Sequence, residues 1–207
     1  LMGIFNEFNK KEKPVFTGIA RGFGFGAVIS GGGGAGAATA VQASGGVIHE
    51  YQDSGTNYRA HIFFNPGTLE VTSVPGSHPG NMTYLLVGGG GGAAGDNGAG
   101  GGGGGVYAGT STIGTITYPV TIGLGGKGTW TAAPGNPGLD GLPSSFVDPS
   151  GPTTRTAGGG GGAGANPGGN GRDGLTPGGS GGGAYYGNLN EGTGNTDAGA
   201  QNGGDGG

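Results

Sequence analysis

At Tyr84-Leu85-Leu86-Val87 a short apolar run opens directly into five glycines, residues 88–92, and seven residues later six more, residues 100–105, close into Val106-Tyr107. Ordering one backbone residue costs about 1–2 kcal/mol, and glycine loses more freedom than any other residue. Runs framed by strands can therefore be ordered only if nearly every amide and carbonyl finds a partner. The threefold extended helix offers one solution. Its backbone groups point outward, and without Cβ atoms neighbouring helices can approach closely enough to bond to one another. Flexible tethers, the ordinary meaning of glycine-rich sequence, are usually serine-rich, and serine is sparse here. The same strand-to-glycine transition recurs after Ile122 and after Ala157, a regularity that favours order.

The glycine content, 62 of 207 residues with 12 prolines, approaches the one-third of collagen. A collagen helix is nevertheless out of reach, because Gly135-Asn-Pro, Gly138-Leu-Asp and Gly141-Leu-Pro are too few triplets to hold three chains in register. Charged residues are only 10%, whereas disordered chains usually stay soluble through high net charge. A hydrophobic fraction of 31% lets only part of the chain own a conventional core. The formal charge of -4, with no basic stripe, argues against nucleic acid as a partner. Cysteine is absent, so neither disulfides nor thiolate metal sites hold the fold. No apolar run is long enough to span a membrane. The ends, Leu1-Met2 and Gly206-Gly207, read as cuts in a longer chain.

Residues 1–57 are expected to form an extended N-terminal attachment arm followed by a Gly/Ala linker. Ile4, Phe5 and Phe8 fall on one face of a helical turn, which Lys10-Lys11-Glu12-Lys13-Pro14 ends, since proline lacks the amide donor. Phenylalanines then alternate with glycine through Arg21-Gly22-Phe23-Gly24-Phe25-Gly26. Rings as anchors and glycine for close approach suit a segment lying in a groove of another protein. The candidate assembly contacts are Phe5, Phe8, Phe16, Arg21, Phe23 and Phe25. A secretory signal is a poor fit, because Arg21 and many glycines interrupt the apolar run it requires.

Residues 58–157 read as an all-β core. Tyr58 to Phe64 is aromatic and branched and is stopped by Asn65-Pro66-Gly67, which predicts a hairpin with Thr68-Leu69-Glu70-Val71-Thr72. Met82 to Val87, Val106 to Thr112 and Thr115 to Gly123 continue the series, with Pro119 predicting an edge or bulge in the last. Ser145 to Asp148 and Thr153 to Ala157 form a final hairpin. Short strands with turn chemistry between them and no helical period predict an antiparallel sandwich or jelly roll with polyglycine II segments packed on it. Residues 158–207 are a further glycine-rich stretch of the same kind.

Motifs of chemistry are few. Gly123-Leu-Gly-Gly-Lys-Gly128 fits the dinucleotide fingerprint by letter, yet no helix follows it, and Lys127 lacks the hydroxyl neighbour of a phosphate loop. Gly168-Gly-Asn-Gly-Arg-Asp173-Gly-Leu175 matches one calcium nonapeptide, but such sites need stacked tandem copies. Asp140 and Asp173 are instead expected to cap turns or bond nearby glycine amides. His49, His61 and His78 lack ligand spacing, and His61 reads as structural. No catalytic constellation is legible, which argues against an enzyme, and no cofactor or metal is expected. Trp130, Tyr185 and Tyr186 are candidate surface contacts for a sugar or a protein, or plugs covering the end of a glycine bundle.

The succession His61-Ile-Phe-Phe, Gly67-Thr-Leu-Glu-Val-Thr, Tyr84-Leu-Leu-Val-Gly-Gly-Gly-Gly-Gly, Gly104-Gly-Val-Tyr107 and Tyr118-Pro-Val-Thr-Ile-Gly-Leu-Gly-Gly-Lys-Gly128 resembles the glycine-rich domain of bacteriophage appendage and virion proteins. Gly138-Leu-Asp-Gly-Leu-Pro-Ser-Ser-Phe146 extends the likeness, as does Thr154-Arg-Thr-Ala157 with the five glycines that follow it, and the whole runs from about Tyr58 to the end. The glycine-rich ectodomain of certain receptor tyrosine kinases is a more distant resemblance, implying a jelly-roll core that carries a bundle of polyglycine helices. Phage tail-tip adhesins with such bundles are similar in the same respect. The resemblance implies a structural component of a virion, a fibre, appendage or surface-decorating protein. Its arm would attach to capsid, portal or tail proteins, it would form a homo-oligomer, and it would contribute to attachment at a host receptor or glycan. The alternative is a cell-surface or extracellular module that binds a protein ligand.

Overall fold

The computed structural model describes residues 40–78, 80–95, 99–130, 136–148, 153–165, 169–185, 190–194 and 205–206. The six arm contacts and Tyr186 lie outside them. The described residues are all-β, with antiparallel sheets that do not close into a barrel. Alternation of apolar and polar side chains builds the strands. In β4 (Gly67–Ser73) Val71 is buried and Leu69 half-buried, while Thr68, Glu70 and Thr72 face solvent. β4 lies between β1 (Gln42–Ser44) and β7 (Thr117–Thr121), and β8 (Ser144–Asp148) and β9 (Thr153–Ala157) complete a five-stranded sheet in the order β1-β4-β7-β8-β9. β5 (Asn81–Val87) and β6 (Val106–Thr112) form a separate ribbon with Leu86 opposite Tyr107 and Tyr84 opposite Gly109.

The core lies between ribbon and sheet. Leu86 of the ribbon meets Val71, Tyr118, Phe146 and Ala157 of the sheet, each fully buried large side chain being worth about 1.5–3 kcal/mol. Tyr84 packs edge-on against Phe146, with ring centroids 4.7 Å apart, and stacks on Tyr107 at 5.9 Å. Tyr118 is 1% exposed. Its hydroxyl accepts from the Gly114 amide at 2.8 Å and donates to the Gly114 carbonyl at 3.2 Å, so the buried phenol is satisfied and the chain is pinned just before β7.

The pairing of β3 corrects the sequence reading. β3 (Thr56–Ile62) does not form a hairpin with β4 across Asn65-Pro66-Gly67; it pairs along its whole length with β2 (Val47–Asp53). The connection is Ser54-Gly55, with φ of 48° and 82°, and positive φ at both turn residues matches the twist of paired strands. That signal outweighs the proline turn and leaves β4 to insert between β1 and β7. Strands also begin at Gln42, within the stretch read as linker. Pro119 sits in an interior strand, but β8 pairs with β7 only from Val120 onward, so the missing donor falls where that ladder has not begun. The final hairpin, β8 with β9, forms where the sequence places it.

Beyond β5, β7 and β9 the chain continues as extended glycine-rich segments that bond to one another rather than to the strands. Segment 158–165 is buried throughout, and its backbone shows a three-residue repeat. The amides of Gly158, Gly161 and Gly164 donate to the carbonyls of Pro177, Ser180 and Gly183 at 2.7–2.9 Å, while those of Gly160 and Ala163 donate to Gly89 and Gly92 at 2.9 and 3.0 Å. Its carbonyls rotate likewise: those of Gly158 and Gly161 accept from Gly105 and Gly102, those of Gly160 and Ala163 from Gly141 and Gly138, and those of Gly159 and Gly162 from Leu175 and Arg172. One segment is thus bonded to five others. Glycine is obligatory at most positions of this array: a Cβ on Gly91, Gly160 or Gly161 would fall on the backbone carbonyl of Gly161, Gly102 or Arg172 respectively.

Candidate interaction surface

Some backbone amides of the array are met by a side chain instead of another glycine segment. Three aspartates do this. The Asp140 carboxylate accepts from the Gly162 amide at 2.8 Å, that of Asp173 from the Thr193 amide and hydroxyl at 2.8 Å, and that of Asp205 from the Gly194 amide at 2.9 Å. Asp140 also pairs with Arg172 at 3.2 Å, joining segments 136–143 and 169–175. The Thr193 bonds hold the Asp173 carboxyl below the ordinary carboxylate range, because they favour its charged form. The cleft beside these groups is lined by Asp140, Asn170, Arg172, Asp173, Asn190 and Glu191. Asp140 therefore bonds a glycine amide, as the sequence suggests, whereas the partner of Asp173 is Thr193 rather than a glycine. No group of three or more histidine, aspartate or glutamate side chains among the described residues is disposed for a metal ion.

A second surface carries side chains outward. Segments 122–130 and 136–143 run antiparallel, the amides of Leu139 and Leu142 donating to the carbonyls of Lys127 and Leu124 at 3.1 and 2.8 Å. On the first, Leu124, Lys127 and Trp130 are exposed at three-residue spacing. On the second, Leu139 and Leu142 follow the same spacing. Trp130 is 97% exposed. Tyr185 differs: it is half-buried and its amide donates to the Gly169 carbonyl at 3.1 Å. The fingerprint-like stretch 123–128 is part of this array and not the start of a helix; a Cβ on Gly126 would fall on the Leu139 carbonyl.

The β2–β3 hairpin presents a third surface, which the sequence reading missed by assigning most of it to linker. Cross-strand pairing aligns Val47 with Ile62, His49 with Ala60 and Tyr51 with Tyr58 on one face. Tyr51 and Tyr58 stack at 5.3 Å, and His49 stacks on Tyr51 at 6.0 Å. Apart from Ile48, the opposite face is polar, with Arg59 bonded to Glu50 at 2.9 Å and Gln52 to Asn57 at 3.2 Å. Val47, Tyr51, Tyr58 and Ile62 are all exposed. His61, in the same strand, lies 2.7 Å from the Gly45 carbonyl through Nδ1, a structural role.

Residues 64–207 match the family model described as a glycine-rich domain. The chain belongs to the glycine-rich domain family. The matched stretch opens at the β3–β4 connection and contains every segment of the bonded array, while the β2–β3 hairpin precedes it. Comparison of this glycine-rich domain protein with curated proteins and with solved structures finds no match. Among the described residues no helix is long and apolar enough to cross a membrane.

Proposed function

We propose that this glycine-rich domain protein is a non-enzymatic structural component of a bacteriophage particle, a fibre, appendage or decorating protein. In this reading the β core is a jelly roll and the glycine segments are polyglycine II helices, a packing supported by the three-residue rotation of donors and acceptors along segment 158–165. That array carries the functional reading. It is held by backbone bonds, carries few charges and displays side chains only at its margin, so margin residues can vary while the scaffold stays fixed. Residues 1–39 would attach the protein to capsid, portal or tail proteins through Phe5, Phe8, Phe16, Arg21, Phe23 and Phe25. Trp130 and its leucine neighbours would meet a host receptor or glycan, with Tyr186 a further contact.

Mass spectrometry of purified particles from the source tests the reading. Peptides covering 58–155 should co-purify at a fixed ratio to the major shell protein, and their recovery with cell envelopes instead would overturn it. Deleting residues 1–39, which leaves Val41 and β1 against the core, should abolish incorporation without unfolding the rest. A second reading, a cell-surface module that binds a protein ligand, draws support from the exposed apolar face of the β2–β3 hairpin. Envelope recovery would favour it.

A further inference from the structure

Among the described residues packing explains glycine at most array positions, but at four it does not and at a fifth, Gly128, it does so only marginally. A Cβ on Gly90 or Gly125 would come no closer than 3.5 or 3.6 Å to its nearest neighbour, on Gly103 3.8 Å and on Gly128 3.3 Å, and on Gly100 it would meet nothing within 4 Å. None of the five has a positive φ. Alanine would fit the chain at Gly90, Gly100, Gly103 and Gly125, and at Gly128 only if the Ala93 carbonyl gives way slightly, and it would reduce the entropy lost on folding. All five residues are exposed. They lie on three segments bonded side by side: Gly126 and Thr129 donate to Gly90 and Ala93, and Gly88, Gly91 and Ala94 donate to Gly105, Gly102 and Ala99. The amides of Gly90, Gly100, Gly103, Gly125 and Gly128 have no hydrogen-bond partner among the described residues. Elsewhere aspartates close the amides of Gly162, Thr193 and Gly194; among the described residues no side chain closes these five.

We infer that this open edge of the hydrogen-bonded array is where a second copy of the chain docks, through the same edge, continuing the array across the interface. The logic is that of an unpaired sheet edge, where a row of free backbone groups is a template for another chain. Three properties select a second copy as the occupant. A partner side chain at bonding distance would land on backbone carbonyls as it would inside the array, so only a glycine surface fits, and this chain carries one. The edge offers the five amides together with the carbonyls of Gly125 and Gly128, which accept from no amide among the described residues, so it carries the donors and acceptors that a self-complementary two-fold interface requires. The five positions also place no charge on the edge, and the net charge of -4 resides elsewhere.

Sedimentation of the full chain over ~1 µM to ~1 mM tests this. The wild type should self-associate. The triple variant Gly90→Ala, Gly103→Ala, Gly125→Ala should keep its thermal midpoint or exceed it, yet associate at least about tenfold more weakly. Gly100→Ala, whose methyl meets nothing in the chain, provides a second variant with the same expected direction. Leu124→Ser with Leu139→Ser, on the side-chain surface, should associate like wild type. A chain that stays monomeric throughout, or alanine variants that associate like wild type, would overturn the inference.

Discussion

The two halves of this molecule solve one problem by opposite means. In the β core side chains do the work: Tyr118, Phe146, Leu86 and Val71 are buried against one another and the strands position them. In the glycine array the backbone is itself the packing surface, and segment 158–165 is buried with no side chain larger than a methyl group. The difference lies in what a substitution meets. A core side chain meets other side chains, which can shift rotamer or leave a cavity. At most array positions an added side chain meets a carbonyl held by its own hydrogen bonds, which cannot move without breaking its neighbours.

That contrast is most exposed by Gly160→Ala, whose methyl would fall on the Gly102 carbonyl. We expect more than about 4 kcal/mol of destabilisation and loss of amide protection across 158–165, read by thermal unfolding and hydrogen exchange; a wild-type midpoint would break the comparison. Leu86→Ala should cost less, about 2–4 kcal/mol, with the core affected before the array in the same exchange experiment. Asp140→Ala leaves the buried Gly162 amide without its acceptor and should cost about 1–3 kcal/mol, concentrated in exchange at 158–165.

Acid provides a milder probe. The folded Asp173 carboxyl has a depressed pKa, so its contribution is present above the ordinary carboxylate value of about 3.9 and is lost as pH falls through the lower folded value. Amides of 190–194 should therefore lose protection below about pH 4, and Asp173→Asn should remove most of that pH dependence. Smallest of all is Gly90→Ala, chemically identical to Gly160→Ala but expected to leave monomer stability unchanged or raise it by about 0.4–1 kcal/mol.

Sequence made the strands after Tyr84 legible because alternation and turn residues agreed there, as in β8 and β9. It misled at β2–β3, where Ser54-Gly55 looks weaker as a turn than Asn65-Pro66-Gly67 and only the backbone angles decide. The array's margin was present in plain letters: Leu124, Lys127 and Trp130 stand three apart, as do Leu139 and Leu142. Triplet spacing there, however, also reads as broken collagen. Which segments neighbour one another depends on pairings many residues apart, and glycine runs carry no side-chain code to specify them. Asp140 was readable because a short carboxylate among bare amides has an obvious acceptor role, whereas the Thr193 partner of Asp173 was not.

The three-residue repeat of bonding partners also sets how such a chain can change length. Adding three residues to 158–165 would return each following amide to the neighbour it had before, whereas adding one or two would turn every later donor toward the wrong segment. Glycine tracts of this kind should therefore lengthen and shorten over evolutionary time in steps of three residues, nine nucleotides of coding sequence, with intermediate lengths purged as misfolded.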